Sequence, residues 1–301
     1  MTIKKRISLF CLLFIGGLFF LQCGRSTSHK EAKPVVSVSI LPLQYMVDRI
    51  SGGDFDVYVI VPPGSSPETY EPTPRQMKEV TASKAYFQIG LIDFEQAFAE
   101  GIKSNSPSTQ MIDLSKRLEL LEGACTHEHR HHAGHGHGID PHTWLSPIRV
   151  RSMVSEIESI LAEIMPDSAD KYRANARGFI SSIDSIDTHN RNLFSKIANK
   201  NILIYHPFLT YYSDDYGLVQ MAVEQDGKEP SANQLKSLIN DIRSKNLRTL
   251  FYQKWSNRHT VNALAQESGL QTVVLDPLAY DWEANIKEMT AQIKQSFEHG
   301  K

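Results

Sequence analysis

Asn201-Ile202-Leu203-Ile204-Tyr205-His206-Pro207 runs an apolar strand straight into a histidine and a proline. Two other stretches share this grammar: Val59-Ile60-Val61 leads to Pro67-Glu68, and Val273-Val274-Leu275 leads to Asp276-Pro277. Each begins with an apolar run rich in β-branched residues, the signature of a strand. Each then offers a side chain that can ligate, beside a proline that stiffens the loop. In parallel α/β sheets, ligands bind outside the carboxyl ends of the strands. The three stretches therefore predict both a sheet type and the edge of it where function lies.

Helical patterns separate these strands. Before them, Val35 to Leu41 alternates as a strand, and Gln44 to Ile50 reads as a helix ended by Gly52-Gly53. Asp56 to Val61 is a second strand and runs into the loop Pro62 to Pro74, whose prolines forbid regular structure. Arg75 to Ser83 is helical, Ala85 to Ile89 a strand, Phe94 to Lys103 a helix and Met111 to Leu114 a short strand. Val150 to Met165 carries apolar residues at helical spacing and closes at Pro166. Asp167 to Asn199 is a long helical pattern that would span ~50 Å if continuous.

A second α/β unit follows. Its strands are Asn201 to Tyr205, Leu218 to Val223, Thr249 to Tyr252 and Thr272 to Leu275. A turn at Asp226 to Pro230 leads to Ser231, which caps a helix over Ala232 to Lys245. His259 to Ser268 and Trp282 to Glu298 are helices, the first stopped by Gly269. Strands alternating with helices predict α/β architecture with mainly parallel sheets.

Within the first unit, before the helical pattern of Val150 to Met165, lies Gly138-Ile139-Asp140-Pro141-His142-Thr143-Trp144-Leu145-Ser146-Pro147. It follows a tract holding His127, His129, His131, His132, His135 and His137, half of the chain's 12 histidines. A segment so rich in Gly and His has little apolar surface to offset its ordering entropy and should be a mobile loop. Imidazoles suit zinc, copper, nickel and iron, so the tract is expected to gather metal. His142, pinned between a proline and the apolar Trp144-Leu145 pair, should instead belong to a fixed site.

At 301 residues the chain is long enough for about two domains of the usual ~100–200 residues each. With 32 basic and 34 acidic side chains it shows no nucleic-acid footprint. Lys4, Lys5 and Arg6 precede an apolar run, Ile7 to Leu21, that is short for the ~20 residues of a membrane span. Cys23 ends it, before a polar stretch. This resembles a bacterial lipoprotein signal over 1–22, with Cys23 lipidated and 23–34 as linker, although Gln22 stands where a small residue is usual. Cys11 leaves with the leader, so Cys125 alone remains and no internal disulfide can form. Cys125 borders the His tract and could add a soft ligand there.

Taken together, Glu68, His142, His206 and Asp276 supply two imidazoles and two carboxylates, a four-ligand set suited to a divalent metal between two domains. The sequence resembles the metal-binding solute-binding proteins of bacterial ABC transporters, the zinc and manganese uptake class. The resemblance runs from Val35 to the C-terminus. It rests on Pro63 to Thr73, Asp140 to Pro147, His206-Pro207-Phe208 with Tyr216-Gly217-Leu218, Glu229 to Ala232, and Leu275 to Leu278.

The resemblance implies two α/β lobes, 35–165 with a His-rich loop at 125–138, and 200–301. It implies that one long helix in 166–199 joins them, with metal in the cleft. His142, His206 and Asp276 match the second, third and fourth ligand positions of the family, whereas Glu68 replaces the usual first histidine. Tyr70 and Glu71 are then expected as partners that orient the ligands.

The implied function is high-affinity zinc binding for an ABC-type uptake system, with delivery to a permease in the inner membrane. The carrier is expected to be exported, periplasmic or at the cell surface, lipid-anchored, monomeric and not an enzyme. The same carrier could be loaded with manganese or iron, because Glu68 adds a harder oxygen ligand. The rival from another class is a zinc hydrolase with Glu71 as base and water in an open position. No His-Glu-x-x-His motif or serine nucleophile elbow accompanies it.

Overall fold

Two wholly parallel four-stranded sheets organise residues 32–105, 108–123, 138–224 and 228–298, which the computed structural model describes. In the first sheet β1 (Val35–Val38), β2 (Asp56–Val59), β3 (Ala85–Gln88) and β4 (Gln110–Asp113) lie in the order β2-β1-β3-β4. In the second, β5 (Asn201–Ile204), β6 (Val219–Ala222), β7 (Thr249–Tyr252) and β8 (Gln271–Val274) repeat that order as β6-β5-β7-β8. All strands of a sheet thus end at one edge, and the loops bearing Glu68, His206 and Asp276 leave from those edges.

The expected leader, Cys11, Cys23, Cys125, the histidines from His127 to His137, and Asp226-Gly227 lie outside the described residues. No helix among the described residues is long and apolar enough to cross a membrane.

Local chemistry sets the element boundaries. α1 (Leu41–Ser51) starts earlier than the strand-like alternation through Leu41 predicts, because Pro42 in its first turn presets a helical φ. α2 (Pro74–Thr81) and α7 (Ala232–Ser244) open with capping boxes, Thr73 with Gln76 and Ser231 with Gln234. α3 (Asp93–Asn105) follows β3, α4 (Pro147–Ile164) is capped by Ser146, and α8 (Arg258–Ser268) is capped by Asn257.

α5 (Ala169–Phe194) is shorter than the pattern over 167–199 predicts. Pro166–Ser168 forms a separate 3-10 turn, and past Phe194 the chain tightens into three-residue turns. Its 26 residues span ~39 Å. α6 (Thr210–Tyr216) was not legible as a helix, because seven residues give less than two full turns of periodicity.

α5 joins the sheets and buries Tyr172, Ala176, Phe179, Ile183, Ile186 and Phe194 against α1, α4 and α9 (Trp282–Glu298). One apolar core therefore runs through both lobes, from Val36 to Ile293. A second cluster, including Leu203, Ile242 and Val261, lies where α7 and α8 meet the second sheet. Indole N–H groups lock the lobes further. Trp144 Nε1 donates to the Pro277 carbonyl (2.8 Å), and Trp282 Nε1 donates to the Trp144 carbonyl (2.7 Å).

Candidate metal centre

The loop after β2 is tied at both ends by one residue. Gln76 Nε2 donates to the Ile60 carbonyl (2.6 Å) and lies 2.8 Å from the Tyr70 hydroxyl. The same amide's oxygen accepts from the Thr73 backbone N–H (2.9 Å). The Tyr70 ring meets Phe94 edge to face. Within this frame Ser66 Oγ donates to Glu68 Oε2 (3.1 Å), which leaves Oε1 to face the two histidines.

His142 is held more tightly. Asp140 Oδ1 accepts its backbone N–H (2.8 Å) and faces its Nδ1 (3.0 Å). Asp140 is itself fixed by Thr210 Oγ1 on its other oxygen and by the Tyr211 hydroxyl on its carbonyl. The ring is 3% exposed and packs against Trp144 at 5.1 Å between centroids. His206, two residues beyond β5, turns Nδ1 to Glu224 Oε2 at 3.0 Å. Glu224 lies two residues beyond neighbouring β6, so parallel pairing sets the two side by side.

These loops bring Glu68, His142 and His206 together, with one ligand atom from each lying within 4.8 Å of the others. Both Nε2 atoms point at the same oxygen, Glu68 Oε1, at 2.9 Å from His142 and 3.0 Å from His206. An ionised carboxylate can only accept, so carboxylates at both nitrogens favour the protonated ring. Burial disfavours the charge on His142, but Asp140 and Glu68 override it and push its pKa up to about 10. His206 is raised as well, burial being outweighed by Glu224 and Glu68. Glu68 falls well below the carboxylate range despite its burial, because both imidazoles favour its ionised form.

The structure does not place Asp276 in this cluster. It lies two residues beyond β8 with Oδ2 against Lys254 Nζ at 2.7 Å. The strand-end pattern located its backbone but contained no information on the lysine reached through β7–β8 pairing. Nor do Tyr70 and Glu71 orient the ligands. The capping box draws Tyr70 to Gln76, and Glu71 is exposed. Asp140, Glu224 and Ser66 take that role. Glu224 follows a predicted strand end, and Asp140 stands two residues before His142, so the signals that marked the ligands could have found both.

Two imidazoles, each oriented by a carboxylate at the far nitrogen, and one carboxylate oxygen form a donor set that suits zinc. The chain matches the family described as zinc-uptake complex component A, periplasmic, over residues 36–296. It is 33% identical to the chain in a crystal structure of ZnuA, with 88% of this chain and 99% of that one covered and a TM-score of 0.79. A Chlamydia muridarum protein, named provisionally as metal-binding, is 28% identical over 280 residues, which is 92% of this chain and 95% of the relative. The zinc-binding protein AdcA of Streptococcus pyogenes serotype M1 is 25% identical over 264 residues. The match takes in 82% of this chain but 51% of AdcA, so the chain spans about half the length of that relative.

Proposed function

The chain belongs to the zinc-uptake complex component A family, and from that premise we propose that it binds zinc at Glu68, His142 and His206 and delivers it to an ABC permease. It acts by binding and release, not by catalysis. The observation that carries the site is the convergence of two Nε2 atoms on one carboxylate oxygen. In the metal-free protein those contacts favour protonated imidazoles. Loading exchanges ring protons for the cation. The fixed carboxylates of Asp140 and Glu224 keep both rings aimed throughout.

The finer features belong to the same reading. Residues 1–22 are a signal peptide, Cys23 carries lipid, and the mature chain works as a monomer outside the cytoplasm. The histidines from His127 to His137 gather metal, and Asp276 is the fourth ligand of the loaded site. Glu68 brings an oxygen where an imidazole would discriminate more strongly for zinc, so manganese is the competitor to test.

The test is competitive titration of zinc against manganese on the chain lacking its leader, with His142→Ala and His206→Ala alongside. Tight zinc binding that is lost in both variants supports the reading. Wild-type affinity in either variant would refute it.

A further inference from the structure

Each oxygen of Asp276 has a partner. Its Oδ1 accepts the Leu278 backbone N–H (3.0 Å), and its carbonyl accepts Asn285 Nδ2 (2.8 Å). The next carbonyl, of Pro277, accepts the indole N–H of Trp144, whose ring stacks at 5.1 Å from His142. The backbone of Asp276 is therefore tied to the frame that holds a metal ligand. Only Oδ2 is left to choose a partner, and that partner is Lys254.

The register explains the pairing. Tyr252 in β7 pairs with Val274 in β8, and Lys254 and Asp276 each lie two residues farther on. Ile204 in β5 pairs with Phe251 in β7, and His206 again lies two residues past its strand. Along the carboxyl edge of the second sheet the order is therefore His206, Lys254, Asp276. A cation stands between a metal ligand and a carboxylate one strand away. The Lys254 side chain is 61% exposed and that of Asp276 26%. An exposed pair of this kind is weak and easily exchanged.

We propose that Lys254 is an ionic latch on the metal centre. It occupies the Asp276 carboxylate while the site is empty and yields it to the arriving cation, which then completes its coordination. The latch rests on the site reading above and adds regulation to it. Metal first meets Glu68, His142 and His206, and the fourth bond costs the breaking of the Lys254 pair. The lysine thereby lowers affinity and speeds release. It also restrains hard cations most, because the ligand it withholds is an oxygen.

The experiment is competition with a chromophoric zinc chelator, repeated with manganese, on the leader-free chain. The variants are Lys254→Met, Asp276→Ala, the double variant, and His142→Ala. Lys254→Met should bind zinc two- to fivefold more tightly, roughly the weight of an exposed ion pair, with a larger gain for manganese. In the double variant the gain should vanish, leaving the weakened affinity of Asp276→Ala. An unchanged affinity in Lys254→Met overturns the latch. So does a gain that persists undiminished without Asp276, which would mark Lys254 as a distant repelling charge. Wild-type affinity in His142→Ala would instead overturn the underlying site, a failure distinct from that of the latch.

Discussion

Two residues carry the proton chemistry of the candidate metal centre. His142 and His206 each face carboxylates at both ring nitrogens, and both have raised affinity for protons. At neutral pH the empty site therefore holds protons where the cation must bind. Zinc binding at pH 7 should release protons from the rings, at least the one that His142 holds. Calorimetry in buffers of different ionisation enthalpy measures this, and release near zero would contradict a protonated His142. The sign follows from the raised pKa values. Apparent affinity should climb as pH rises, by about tenfold per unit for each ring still protonated. It levels off as pH passes the His142 value of about 10.

Glu95 is a second residue whose partners can be counted. It is 1% exposed and accepts the backbone N–H groups of Ile89, Gly90 and Ile92 as well as the Ser39 hydroxyl. Each of its oxygens takes at least one N–H, so Glu95→Gln must set an amide NH2 against a backbone donor. Leaving buried donors unpaired costs about 1–3 kcal/mol each, so the substitution should destabilise by about 2–4 kcal/mol in urea melts despite its near-identical shape. Gly90 in the same loop has φ +87°, and a Cβ there would lie 1.9 Å from Asp113 Oδ1, so any other residue would be strained and would displace Asp113.

At the scale of elements, the Glu68 loop depends on the first turn of α2. Gln76 ties Ile60, Tyr70 and Thr73 together from a single side chain. Gln76→Ala removes all three ties without touching a ligand. It should weaken zinc binding roughly tenfold, the lower range for groups that orient metal ligands. Global stability should fall by only about 1 kcal/mol, in line with a lost cap. Paired zinc titrations and thermal melts separate the two effects. An unchanged affinity would mean that the prolines alone hold the loop. Deleting residues 127–137 is a complementary test, since none of the converging ligands lies there. The tight site should survive the deletion, with only weaker binding events lost.

At the scale of the molecule, the lobes share one core and a buried ion pair. Arg149 in α4 meets Asp215 in α6 at 2.7 Å, their side chains 7% and 2% exposed. Ser146 also donates to Asp215, and the Arg149 guanidinium lies over the Tyr211 ring. Removing one partner of a buried pair strands the other charge, so Arg149→Ala should cost about 3–5 kcal/mol in denaturant melts. Because apolar packing is continuous from Val36 to Ile293, wild type and variant should each unfold in one transition. Separate melting of the lobes would show that the shared core does not couple them.

Much of this architecture is written in local chemistry. Apolar runs of strand length, prolines in first turns and the Ser231 cap act over a few residues, so the order of elements was legible in the sequence. The residues beyond strand ends were legible for the same reason, since parallel sheets present their loops at one edge. What the sequence could not express was which side chains meet across that edge. Glu68 comes within 2.9 Å of a histidine 74 residues away, while Asp276, equally well marked, is taken by a lysine 22 residues before it. The first outcome depends on the packing of α5 against helices of both lobes, the second on the register of β7 against β8. Those arise only when distant apolar faces are buried together, which no local pattern records.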